Sequence, residues 1–163
     1  MTQYQEKIKQ LVEKTINKFN QNEKYLMEND LSERCICAKF MSYLERAIEN
    51  SDFRGYEVDV EYNRGNDGKT YTVKELNGSK IVVDLIIHKR EVQPDGGFDN
   101  LVCIEMKKNC NRRNIRKDII RLDKMTDLHY GFNYQAGFMI MVWDEKLSIE
   151  KEFYLGEERD NRY

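Results

Sequence analysis

Two stretches decide how this chain reads: Ile81-Val82-Val83-Asp84-Leu85-Ile86-Ile87-His88-Lys89-Arg90 and Asn100-Leu101-Val102-Cys103-Ile104-Glu105-Met106-Lys107-Lys108. Each is an apolar, β-branched run interrupted by charge. A carboxylate in an apolar strand is costly to bury unless a cation, a partner or a catalytic duty accounts for it. The first run carries Asp84. The second carries Glu105 and Lys107, whose i, i+2 spacing puts both on one strand face. Between the runs lies the only proline, in the turn signal Pro94-Asp95-Gly96-Gly97. An antiparallel hairpin is therefore expected, and a turn centred between Pro94 and Asp95 makes opposed residue numbers sum to 189. Asp84 then faces Glu105. Opposed residues share a sheet face with Cβ atoms roughly 5 Å apart, so Asp84, Glu105 and Lys107 converge on one patch. Two carboxylates that close repel unless a proton or a metal lies between them.

Working outward, the pattern reads helix, helix, strands, helix, strands. Tyr4, Ile8, Leu11, Val12, Thr15, Ile16 and Phe19 recur at helical spacing and predict an amphipathic helix over 3–27, broken by Asn29-Asp30. A second helix is expected over 31–49, with Asp30 as its N-cap. Strands are expected at 56–63 and 70–76, joined by a turn at Gly65-Asn66-Asp67-Gly68. After the two central strands, 112–129 reads as a helix, and 134–143 and 151–155 as strands. The outcome is one α/β domain of 163 residues, with a mixed central sheet flanked by helices and two helices at the N-terminus. Residues 1–30 make the first helix, 31–155 the core and 156–163 a charged tail.

Asp84 preceded by Val83, then Glu105-Met106-Lys107 on the next strand, resembles the active-site signature of the PD-(D/E)XK nuclease-like superfamily. Val83 stands where the name-giving proline would be. The similarity extends through His88, Lys89 and Arg90, through Asn100 to Lys108, and through a helix with Asp118 and Leu122 to Tyr134 and Gly137. It covers about residues 31 to 143 and looks like the core of small bacterial members. The resemblance implies a restriction-endonuclease-like core and a Mg²⁺- or Mn²⁺-dependent enzyme that hydrolyses DNA phosphodiesters. Asp84, Glu105 and the Met106 carbonyl would be metal ligands, and Lys107 would orient the attacking water or stabilise transition-state charge. Glu33, on the inward face of the second helix with Cys37, Phe40 and Leu44, is a further candidate ligand. The spacing Asp30-x-x-Glu33 equally fits a capping box, in which Glu33 ties down a backbone N–H. A hard cation suits such a donor set because it takes oxygen ligands and keeps several waters. The competing account of the motif is a buried ion pair of Lys107 with Asp84 or Glu105. A literal Pro94-Asp95 also precedes Glu105-x-Lys107, but Asp95 sits at the tip of the connection, so Asp84 is the expected ligand.

With a formal net charge of -2, the chain carries no global basic signal, so any nucleic-acid affinity must come from local patches and a metal. The segment from Lys107 to Lys124 supplies candidates: Lys108, and a helical stripe of Arg113, Lys117 and Lys124 opposite Ile115, Ile119 and Leu122. Lys89 and Arg90 are candidate phosphate contacts near the hairpin. His88 shares Asp84's face but lies four residues along, roughly 13 Å at strand rise, too far for a shared metal. Glu61 shares a strand face with Glu57 and Asp59 and reads as solvated.

The cysteines Cys35, Cys37, Cys103 and Cys110 have neither zinc-site spacing nor the density of a disulfide scaffold. The longest apolar run, 138–143, is too short to span a bilayer. A cytoplasmic protein that does not engage membranes is expected. Two further functional classes stay open: a catalytically silent nuclease-fold module that binds nucleic acid or a protein, and an interaction protein whose first helix pairs with a partner or a second copy. The Tyr4, Ile8, Leu11, Val12, Phe19 seam allows a homodimer and fits packing within the chain equally well.

Overall fold

The computed structural model describes residues 1–29, 31–63, 74–76, 78–90, 100–108 and 112–157, with the side chains of 112–114 excepted. Asp30, both turn signals, Asp95, Cys110 and the Arg113 side chain therefore lie outside the described residues. Helix α1 spans Gln3–Asn22, and Thr2 and Gln5 close a reciprocal capping box at its start. The chain bends at Glu23 into the short α2, Lys24–Glu28, instead of running straight to 27. Helix α3 covers Glu33–Glu49, and its N-cap is Ser32, whose hydroxyl accepts from the Cys35 N–H at 3.3 Å. The expected cap at Asp30 is thus displaced by two residues.

Among the described residues five strands form one mixed sheet. They are β1 (Glu57–Val60), β4 (Leu85–His88), β5 (Asn100–Lys108), β6 (Ala136–Trp143) and β7 (Lys146–Tyr154), side by side in that order. Strands β2 (Glu75–Leu76) and β3 (Ser79–Lys80) make a separate two-stranded ribbon. β4 and β5 are antiparallel, with Leu85 opposite Ile104, Ile86 opposite Cys103 and Ile87 opposite Val102. That is the expected register, until a bulge at His88 shifts it to pair with Asn100. β5 and β6 are parallel, joined through helix α4 (Arg112–Met125). β6 returns antiparallel into β7 through Asp144 and Glu145, both at positive φ.

The alternation along β4 and β5 assigns each face its cover. Leu85, Ile87, Val102, Ile104 and Met106 pack with Ile8, Val12, Phe19, Ile36, Phe40 and Leu44 of α1 and α3. Ile86 and Cys103 face the other way, toward Ile119, Leu122 and Met125 of α4. The apolar seam of α1 is spent on this core, since Ile8, Val12 and Phe19 are fully buried within the chain. It leaves that face unavailable to a partner helix. α4 comes close to the sheet over Gly137, where a Cβ would stand 3.2 Å from Cys103 Sγ and 3.3 Å from Thr126 Cγ2. Among the described residues no helix is long and apolar enough to cross a membrane.

Candidate functional site

Asp84 stands one residue before β4, where the ladder to β5 stops. Its carboxylate takes over from the ladder, with Oδ2 accepting the Met106 N–H at 2.8 Å. The carbonyl of Asp84 accepts the Glu61 N–H at 3.2 Å. The backbone on both sides thus fixes Asp84 beside Glu105, in the arrangement that the hairpin register predicts. Glu105 is 1% exposed. Burial pushes its carboxyl well above the usual carboxylate range, the Asp84 charge adds to the shift, and the Arg121 guanidinium opposes it.

Lys107 lies on the same face of β5 and reaches three acidic side chains at once. Its Nζ is 3.1 Å from Glu33, 3.6 Å from Asp84 and 3.8 Å from Asp118, and it also donates to the Met106 carbonyl at 3.0 Å. Burial works against the Lys107 ammonium, but Asp84, Glu33 and Asp118 outweigh it and hold its pKa above the ordinary lysine value. Lys107 is therefore a fixed positive charge rather than a proton acceptor. Glu33 is brought to this cluster from the first turn of α3, and its second oxygen accepts the Lys108 N–H at 3.1 Å. The carboxylate is spent across the sheet end on Lys107 and Lys108.

α4 adds two residues. Asp118 is nearly buried, and burial raises its carboxyl against the pull of Lys107 and Arg121. Arg121, one turn on, pairs with Glu105, donates to the Val82 carbonyl at 3.0 Å and lies 3.4 Å from Asp118. In the sequence Asp118 stood out only as part of the resemblance, with no role attached, and Arg121 was passed over. The signal was the i, i+3 spacing of Asp118 and Arg121 on the border of the Ile119 and Leu122 stripe.

Among the described residues the cluster thus holds four carboxyl groups, on Glu33, Asp84, Glu105 and Asp118, against two cations, Lys107 and Arg121. A cleft of about 440 Å³ opens on it, lined by Glu33, Arg34, Cys37, Ala38, Val60, Glu61 and Asp84. Cys37, on its wall, has its thiol pushed up to about 12 by burial, with Asp84, Glu33 and Glu105 adding to the shift. Glu61 flanks the cleft at φ 49° and pairs with the exposed Arg34 at 3.1 Å. Among the described residues no three His, Cys, Asp or Glu side chains are grouped to cage a metal ion. A cation here would rest on Asp84 and Glu105; the Met106 carbonyl, the third expected ligand, accepts from Lys107 Nζ at 3.0 Å.

The basic candidates divide. Lys108 is half-buried, with Nζ donating to the Leu31 carbonyl at 2.7 Å. Lys89 and Arg90 lie at the far end of β4, Lys89 over the Tyr56 ring and Arg90 on Glu57 and Asp59. The structure does not bring these two to Asp84. On α4, Lys117 is exposed, while Lys124 lies 5.2 Å from the centroid of the Tyr130 ring. Compared with protein-family models and with curated proteins, the chain matches none.

Proposed function

We propose that this chain is a divalent-metal-dependent nuclease of PD-(D/E)XK type acting on DNA, with a restriction-endonuclease-like core and Asp84, Glu105 and Lys107 as its catalytic residues. The observation that carries this reading is the excess of carboxylates around Lys107. A structural ion pair is best served by balanced charge, because burying unmatched carboxylates costs stability. An excess of carboxyl groups over cations among the described residues, beside a cleft, fits a site that awaits a divalent cation.

Asp84 and Glu105 fit a hard, largely hydrated cation, since they offer oxygen donors and few of them. Bound there, Mg²⁺ or Mn²⁺ would polarise a phosphoryl oxygen and acidify a coordinated water. The chain's own residues do the rest. Met106 N–H aims the Asp84 carboxylate, and Glu33 and Asp118 hold Lys107 charged where negative charge grows on the phosphorus oxygens. The cleft beside Asp84 provides the approach for a strand.

One observation favours a second reading, a catalytically silent module of the same fold: Arg121 already neutralises Glu105. A cleavage assay separates the two. Purified chain, supercoiled and single-stranded DNA and Mn²⁺ are combined, with the Asp84→Asn and Lys107→Met variants alongside. The nuclease reading expects metal-dependent cleavage that falls by at least about 100-fold in each variant. DNA binding without cleavage under every metal would establish the silent module. Activity that survives in Lys107→Met would remove Lys107 from the chemistry.

A further inference from the structure

Arg121 and Lys107 are the two cations of the site, and they are held differently. Lys107 is clamped by three carboxylates and a carbonyl. Arg121 has one strong partner, Glu105, and its other contacts are the Val82 carbonyl and Asp118. Its side chain keeps 28% of its surface exposed, whereas the Glu105 side chain keeps 1%. Arg121 is thus a partly exposed side chain placed over a buried carboxylate. A buried carboxylate of this kind requires a positive partner, and a divalent cation and a guanidinium at the same oxygens repel each other.

We infer that Arg121 is a displaceable counter-ion: it satisfies Glu105 while the site holds no metal, and it must leave Glu105 for a divalent cation to bind there. This rests on the proposed metal site at Asp84 and Glu105. The geometry supplies a place for the released arm, because Asp118 lies one turn back on the same helix with Oδ1 3.4 Å from the guanidinium. A phosphodiester entering over Asp84 offers a second anion to the same donors, since a guanidinium matches phosphate oxygens in a bidentate fork. Arg121 then acts as a positioning residue that ties metal loading to the arrival of substrate, and it keeps the resting site weakly loaded. Apparent metal affinity falls by the fraction of molecules in which the carboxylate is free.

The test is calorimetric titration of the full chain with Mn²⁺ alone, for wild type, Arg121→Gln, Arg121→Lys and Asp84→Asn. Arg121→Gln is expected to bind Mn²⁺ about 10-fold more tightly than wild type, the gain when about a tenth of wild-type molecules have Glu105 free. Arg121→Lys, which keeps the charge and loses the fork, should fall between them. Melting curves add a second readout: saturating Mn²⁺ should raise the melting temperature of Arg121→Gln more than that of wild type. Should Arg121→Gln fail to fold, Arg121→Lys carries the comparison, and affinity equal to or below wild type in the folded variant overturns the inference. Wild-type binding that depends on Asp84 but is unchanged by either Arg121 substitution refutes the counter-ion role and leaves the metal site standing. No Mn²⁺ binding by any form refutes both.

Discussion

At the start of β4, four carboxylates share two cations; at its end, Asp59 lies between His88 and Arg90, and Arg90 also holds Glu57. Both clusters sit on the same sheet and both bury ionisable groups. His88 is fully buried, its Nε2 donating to Asp59 at 2.7 Å while its ring lies 4.5 Å from that of Tyr62. There Arg90 pairs with both Glu57 and Asp59, and Asp59 is held below the usual carboxylate range by Arg90 and His88 in spite of burial, while among the described residues the buried His88 Nδ1 keeps no hydrogen-bond partner. At Asp84 and Glu105 the carboxylates outnumber their partners, and burial drives Glu105 the other way. Pairing left incomplete beside a cleft is what a ligand needs.

The comparison breaks most visibly at Asp59. Asp59→Asn should destabilise the chain by about 2 kcal/mol, because it removes the anion that the buried imidazole and the guanidinium share; the remaining Arg90–Glu57 contact and the exposure of Arg90 keep the loss below that of a fully buried pair. The melting temperature should fall by about 4–8 °C. Glu105→Gln should act in the opposite sense, raising the melting temperature at pH 8 by about 2–4 °C, the shift that about 1 kcal/mol makes in a chain of this size. The sign follows from linkage. With its folded pKa above the ordinary value of 4.5, Glu105 favours the fold below that pH and gives up this contribution as pH rises. The advantage of Glu105→Gln should therefore vanish near pH 4 in a pH series of melting curves. A Glu105→Gln variant that melts below wild type at pH 8 would make the two clusters alike.

His88 sharpens the contrast with a smaller effect. Burial depresses its pKa below the ordinary 6.5 although Asp59 pulls it upward. The unfolded chain then binds the proton more readily, so stability is lost as pH falls below 6.5 toward the folded value. Urea titrations between pH 5 and 7 should show this slope in wild type, and His88→Gln should flatten it. Smallest of all is the effect of the α4 surface. If DNA runs along that helix, Lys117→Gln should reduce the slope of log affinity against log salt by about 0.9, one phosphate contact. Lys124→Gln, whose ammonium rests on Tyr130, should change it less.

The sequence made the centre of the sheet legible and its margins less so. Asp84, Glu105 and Lys107 could be brought together from a turn signal and a strand period, because pairing in a hairpin is arithmetic. The helices were legible from their apolar stripes, yet α3 begins at Glu33 because the hydroxyl of its N-cap, Ser32, reaches the Cys35 N–H. The strand β7 begins at Lys146, five residues before the expected 151, because Asp144 and Glu145 make a tight turn at positive φ without the glycine that advertises one. Arg121 was missed for a different reason. Its partner lies across the sheet on β5, sixteen residues back, and no periodicity within α4 points at it.

The β5, α4, β6 passage has a temporal side. Glu33 comes from α3, Asp84 from the approach to β4, Glu105 and Lys107 from β5, and Asp118 and Arg121 from the crossover helix. No two neighbouring elements suffice, and α4 gains its seat only when β6 has joined β5 and presents Gly137 beneath it. On a chain growing from its N-terminus, every side chain of the cluster has emerged by residue 121, but α4, with Asp118 and Arg121, finds its full seat on the sheet only with the strand ending at Trp143. Parallel pairing across such a crossover is among the later events of folding, since it closes a long loop first. The half of the acidic cluster that α4 contributes accordingly depends on a strand that follows it in the chain.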